Sequence, residues 1–166
     1  MKNRTIEIAS LTEAAIFYFT SSQEEKDLLM HQMFREQPAI LELIGFLDGE
    51  FDLHHTKVII LQLIMIFYKA ILIQQIKMKK IPFSDFLAAY AEFIQLKDYY
   101  DHPDRELDEE TYKKLFDNYP QSKILMYTNT ALNVQYQPYL GDSLESGHIF
   151  YMMKIFGEVV DQNIIE

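Results

Sequence analysis

Cysteine is absent from the 166 residues, and with it go disulfide frameworks, thiolate metal sites and cysteine nucleophiles. Tryptophan is absent as well, and glycine and proline supply five residues each, about half of average usage. Valine takes four positions against 19 isoleucines and 18 leucines. So few breakers and valines leave little room for the short strands and turns of a sandwich or barrel, and no glycine-rich turn is present to cradle a nucleotide phosphate. Positive charge is scarce too. Fifteen Lys and Arg stand against 25 Asp and Glu, a net charge of −10, and such a field repels a phosphate backbone unless a basic stripe overrides it. The densest basic cluster, Lys77, Lys79 and Lys80, follows an apolar segment and reads as a helix C-terminal charge set, so no nucleic-acid partner is expected. Lys2 and Arg4 precede an apolar stretch, but Glu7 and Glu13 interrupt what would have to be the uncharged part of a signal peptide. The expectation is a cytoplasmic chain read from Met1.

What is present is helical periodicity. Ser10 with Glu13, and Ser22 with Glu25, have the spacing of a capping box and predict two helix starts. Leu11, Ala14, Ala15, Tyr18 and Phe19 recur at helical spacing in the first, and Leu28, Leu29, Met33 and Phe34 in the second. Pro38 ends that helix and suits the first turn of the next, Ala39 to Leu47, with Asp48-Gly49 as its stop. A long apolar helix follows from about Thr56 to Lys80, then one from Ser84 to about Tyr99. Seven acids between Asp98 and Glu110 mark a solvated loop running into a helix that reaches Asn118. A further helix is expected from Ser122 to Tyr136, broken by Gln137-Pro138, and a last amphipathic one from about Asp142 to Asn163. The fold class is therefore all-α: a single domain over residues 1–166, a bundle of about seven to eight helices around the segment Val58–Ile76.

That segment decides the architecture, because 13 of its 19 residues are Val, Ile, Leu, Met or Phe and they go nearly all the way round the helix. Such a helix needs cover on every side. Nineteen residues can also span a bilayer, and one mid-helix Lys does not prevent insertion. The one-sided apolar faces of the later helices need a central partner, however, so no membrane span is expected. His55, Gln62 and Lys69 recur every seven positions and trace a thin polar stripe. It reads as the water-facing edge of the helix, with Lys69 reaching outward. Phe34-Arg-Glu-Gln-Pro38 before Ile40-Leu41 also resembles Phe116-Asp-Asn-Tyr-Pro120 before Ile124-Leu125, and a duplication of this kind predicts a pseudo-two-fold with the two long helices packed at the centre.

Three functional readings follow. The first is a non-enzymatic helical interaction module, homodimeric because one compact chain can leave part of so apolar a helix uncovered. The second is a sensor or carrier of a small apolar molecule, bound between helices with Gln62, Lys69 and Tyr68 orienting it. The third is a carboxylate–histidine metal enzyme. Asp52 stands three residues before His55, and Glu145 three before His148, a spacing that puts carboxylate and imidazole on one side of a helix. No particular cofactor is indicated. The stretch from Thr5 to Leu29, with Phe17-Tyr18-Phe19 ahead of Ser22, is faintly similar to the end of a TetR-type DNA-binding domain. It lacks the turn glycine and any Lys or Arg between Thr5 and Glu25, so the family is not assigned.

Overall fold

The computed structural model describes residues 5–50, 54–100, 119–140 and 144–165, with the side chains of 48–50, 54, 96–100 and 144 left aside. The described residues form an all-α bundle of seven helices. The helix expected to reach Asn118 and the candidate ligand Asp52 lie outside the described residues. Helix α1 (Ile8–Thr20) begins one turn earlier than the Ser10–Glu13 spacing predicts; its N-cap is Glu7, which makes no side-chain cap bond, and Ser10 is buried inside the helix. The start is set by tertiary contacts. Gln74 accepts from the Glu7 N–H at 2.7 Å and Gln121 from the Ile6 N–H at 3.2 Å, which pins the entering chain against the bundle. At α2 (Gln23–Glu36) the local signal does hold. Ser22 and Glu25 form the reciprocal capping box, with the Ser22 N–H donating to the Glu25 carboxylate at 2.8 Å.

Pro38 opens α3 (Pro38–Glu50), where a missing N–H costs nothing, and the residue before it, Gln37, leaves the helical region as a residue before proline must. The helix runs through Asp48-Gly49 instead of stopping there. Glycine in a helix costs only about 1 kcal/mol, which neighbouring structure overrides.

Helix α4 (His54–Ile73) ends seven residues before the expected Lys80. Gln75 takes a left-handed conformation (φ 55°), its N–H donates to the Leu72 carbonyl at 3.1 Å and the Ile76 N–H to the Ile71 carbonyl at 3.1 Å. This is a Schellman termination with glutamine where glycine is usual, sealed by the buried pair Ile71 and Ile76. The lysine-bearing stretch beyond it is extended. It pairs with the chain's C-terminal residues through Lys79 N–H to Asn163 O and Ile165 N–H to Lys77 O, both 2.8 Å, around an isolated bridge between Met78 and Ile164.

α5 spans Phe83–Tyr100. α6 (Ser122–Ala131) does not break at Gln137-Pro138; it passes through a π-helical turn, Leu132–Tyr136, into a last turn, Gln137–Leu140. The wider turn shifts the hydrogen-bond register just ahead of Pro138, whose missing N–H would interrupt an α-helical ladder. α7 spans Leu144–Asn163.

α4 and α7 pack along each other at the centre. Phe67 of α4 stacks on Phe156 of α7 (centroids 6.3 Å), which stacks in turn on Phe86 of α5 (6.3 Å). α1 covers α4 and α6 covers α7 on one side, while α2, α3 and α5 close the others. By length and composition α4 is also apolar enough to cross a bilayer, with mean hydropathy 2.0 over His55–Ile73, yet 61% of that window is buried by the rest of the chain.

Candidate functional site

Buried amides hold the frame in register. Gln37, between α2 and α3, donates to the Lys79 carbonyl at 3.0 Å and accepts from the Ile81 N–H at 2.9 Å, so it clamps the extended stretch after α4. Gln121, fully buried, donates to Asp161 at 2.8 Å while holding Ile6. Beside it the Tyr119 hydroxyl donates to the Lys154 carbonyl over Gly157, where an added Cβ would stand 2.7 Å from the hydroxyl oxygen. Burial, with Glu158 and Asp161 nearby, pushes the Tyr119 phenol well above its usual range. These residues build the scaffold. Sequence reading passes over them because buried glutamines carry no apolar signature.

The structure places Gln62, Lys69 and Tyr68 in three separate surroundings. Lys69 lies over the Phe17 ring of α1 at 4.1 Å, a cation–π contact. Tyr68 points to the far side of α4, where its hydroxyl donates to Glu36 and lines a hollow of about 350 Å³ with Gln37 and Ile76. Gln62 accepts from the Tyr136 hydroxyl at 3.0 Å. Of the candidate metal ligands, His55 is exposed at the start of α4, and Glu145 accepts from the buried Thr56 hydroxyl at 3.5 Å, which ties the beginnings of α4 and α7 together. His148 is half-buried. Among the described residues no group of three or more His, Asp or Glu is placed to hold a metal ion.

Motif reading misses two features, of which only the first leaves a trace in the sequence. The first is a face. α1 and α6 run in the same direction, joined at their starts by the Lys123–Glu7 ion pair and approaching at their ends, where Tyr18 lies near Tyr136. Between Ile8 and Thr20 the only charged residue is Glu13, and between Ser122 and Leu140 only Lys123, although charged residues make up 24% of the chain. The outward positions include Ile8, Ala9, Thr12, Glu13 and Ile16 on α1 and Met126, Asn129, Thr130, Asn133 and Val134 along α6 and its π turn. Ile16 is 60% exposed, Met126 61% and Val134 75%.

The second is a hollow of about 370 Å³ where the two helices end. Phe19 from the last turn of α1, Val58, Ile59 and Gln62 from α4, and Gln135, Tyr136 and Tyr139 from the π turn and its continuation line it, together with His55. Tyr136 is buried behind the opening, and that burial, with the Tyr127 and Tyr18 hydroxyls nearby, pushes its phenol up. Side chains from three elements converge here, at a π turn of the kind that recurs at functional sites. No family model matches the chain, and neither a curated protein nor a solved structure is similar to it.

Proposed function

We propose that this protein is a non-enzymatic helical interaction module that pairs with a second copy of itself through the outward face of α1 and α6. The observation that carries the reading is the exposure of Ile16, Met126 and Val134 on a surface almost without charge. Interfaces are distinguished by loss of charged residues at their centre and by enrichment in residues such as methionine. A chain of net charge −10 repels its own copies wherever its acids face outward, so like can meet like only where the surface is neutral. An identical face on a second copy supplies the matching neutral, apolar surface, as two-fold pairing requires. A basic partner would favour the acidic remainder of the molecule instead. The same reading keeps α4 in a protein core and out of a bilayer, which the burial of most of its apolar window supports.

Light scattering on the purified chain tests the pairing. At micromolar concentration the mass should be twice that of one chain, and Ile16→Glu with Val134→Glu should raise the dissociation constant at least about tenfold while leaving the fold intact. A strict monomer, or a dimer indifferent to both substitutions, overturns the proposal.

A further inference from the structure

The hollow at the end of α1 and α6 has a chemistry of its own, and we infer that it binds a flat, uncharged aromatic ring carrying a hydrogen-bond acceptor, such as a lactam or a carboxamide. Three observations converge on that class. Among the described residues no Asp, Glu, Lys or Arg lines the space. A cationic ligand would therefore shed water with no opposite charge to receive it, and an anionic one would meet only the exposed His55 imidazole, a cost that neutral molecules avoid. The rim is aromatic: Phe19 is 46% exposed and Tyr139 77%, with Val58 and Ile59 as the apolar floor beside them. Large apolar rings left in water around a concavity gain by covering a ring of their own kind.

The third observation fixes the polar end. The Gln62 carbonyl oxygen accepts from the Tyr136 hydroxyl at 3.0 Å, and among the described residues its NH₂ group has no protein partner. A donor held in place at the wall of a half-open apolar space selects an acceptor on the entering molecule. A volume of about 370 Å³ accommodates one or two fused rings and falls within the range of small-molecule sites. Lys69 and Tyr68, on other sides of α4, take no part.

The proposal does not rest on self-pairing, because the residues that test it, Gln62 and Tyr139, are not those that test the pairing. Since the chain contains no tryptophan, ligand fluorescence excited beyond the tyrosine absorption band carries no protein background. The probes are 2-quinolone, which is neutral and planar with a lactam, and quinoline-2-carboxylate, of the same ring system but anionic. Titration should give saturable binding of 2-quinolone with a dissociation constant below about 1 mM, and binding of the carboxylate at least about tenfold weaker. Gln62→Leu and Tyr139→Ala should each weaken 2-quinolone by about fivefold or more. Tyr139 is so exposed that its removal leaves the fold alone, which keeps the test decisive even if Gln62→Leu destabilises the chain. Absence of saturable binding, equal binding of the carboxylate, or indifference to Tyr139→Ala would overturn the inference.

Discussion

The central α4, packed on α7, and the outer α1–α6 pair are both poor in charge, but for opposite reasons. In the central pair the apolar side chains are spent on one another: Leu63, Ile66 and Phe67 of α4 and Met153, Val159 and Val160 of α7 are fully buried. In the outer pair one face is spent the same way, with Leu11, Ala14, Ile124 and Leu125 inside, and the other is left in water without the charges that normally cover it. An uncharged interior needs no explanation beyond folding. An exterior almost without charge is costly in solubility and gains nothing for the isolated chain, which is why we propose it as the surface on which the protein acts.

If the two pairs differ in this way, they should respond differently to the same substitution. Phe67→Ala removes a ring packed against Phe156 and Tyr127 and should cost about 3–5 kcal/mol in urea unfolding, whereas Met126→Ala on the outer face should stay within about 0.5 kcal/mol under monomeric conditions. Equal costs would erase the distinction. Alkaline pH probes the buried tyrosine hydroxyls that tie α4 and α7 to the rest of the chain. Tyr68, Tyr119 and Tyr136 have phenols raised above the ordinary value of 10.0, each chiefly by burial. A raised folded-state value contributes stability in full below the unfolded value and loses it as pH climbs, so unfolding midpoints should fall from about pH 10 upward. Tyrosinate absorbance should show that a subset of the 11 tyrosines ionises only on unfolding.

A smaller contrast lies within α7. Gly157→Ala drives a methyl to 2.7 Å from the Tyr119 oxygen and should destabilise by about 1–2 kcal/mol net, while Gly147→Ala meets nothing within 4 Å and should stabilise by about 0.5–1 kcal/mol in thermal melts. Smallest of all, Gln75→Gly relieves the left-handed end of α4 and should add up to about 1 kcal/mol.

Much of this architecture is written in local signals. The capping box at Ser22 and Glu25, the proline start at Pro38 and the all-round apolarity of α4 are each decided by residues within a turn or two of one another, and these carry through to the structure. Ser10–Glu13 fails because distant amides of Gln74 and Gln121 set where the chain enters α1. The end of α4 is hidden because glutamine, not glycine, adopts the left-handed conformation there, and because the lysines beyond it pair with the far end of the chain. Pro138 reads as a break, and a π turn absorbs it. The packing of α4 on α7 agrees with what an internal duplication requires, but any two long apolar helices would also meet at the centre. As for the site, Gln62 and His55 were visible as a polar stripe, yet Phe19, Gln135 and Tyr139 reach the same hollow only through the folding of three separate elements.

High-speed fractionation of expressing cells, without detergent, puts the burial of α4 to its most direct test. With the helix enclosed by its own chain, the protein is predicted to stay in the supernatant at physiological salt. Sedimentation with the membranes and release by detergent alone would mean that lipid, and not α1 and α7, surrounds Ile60 to Ile71.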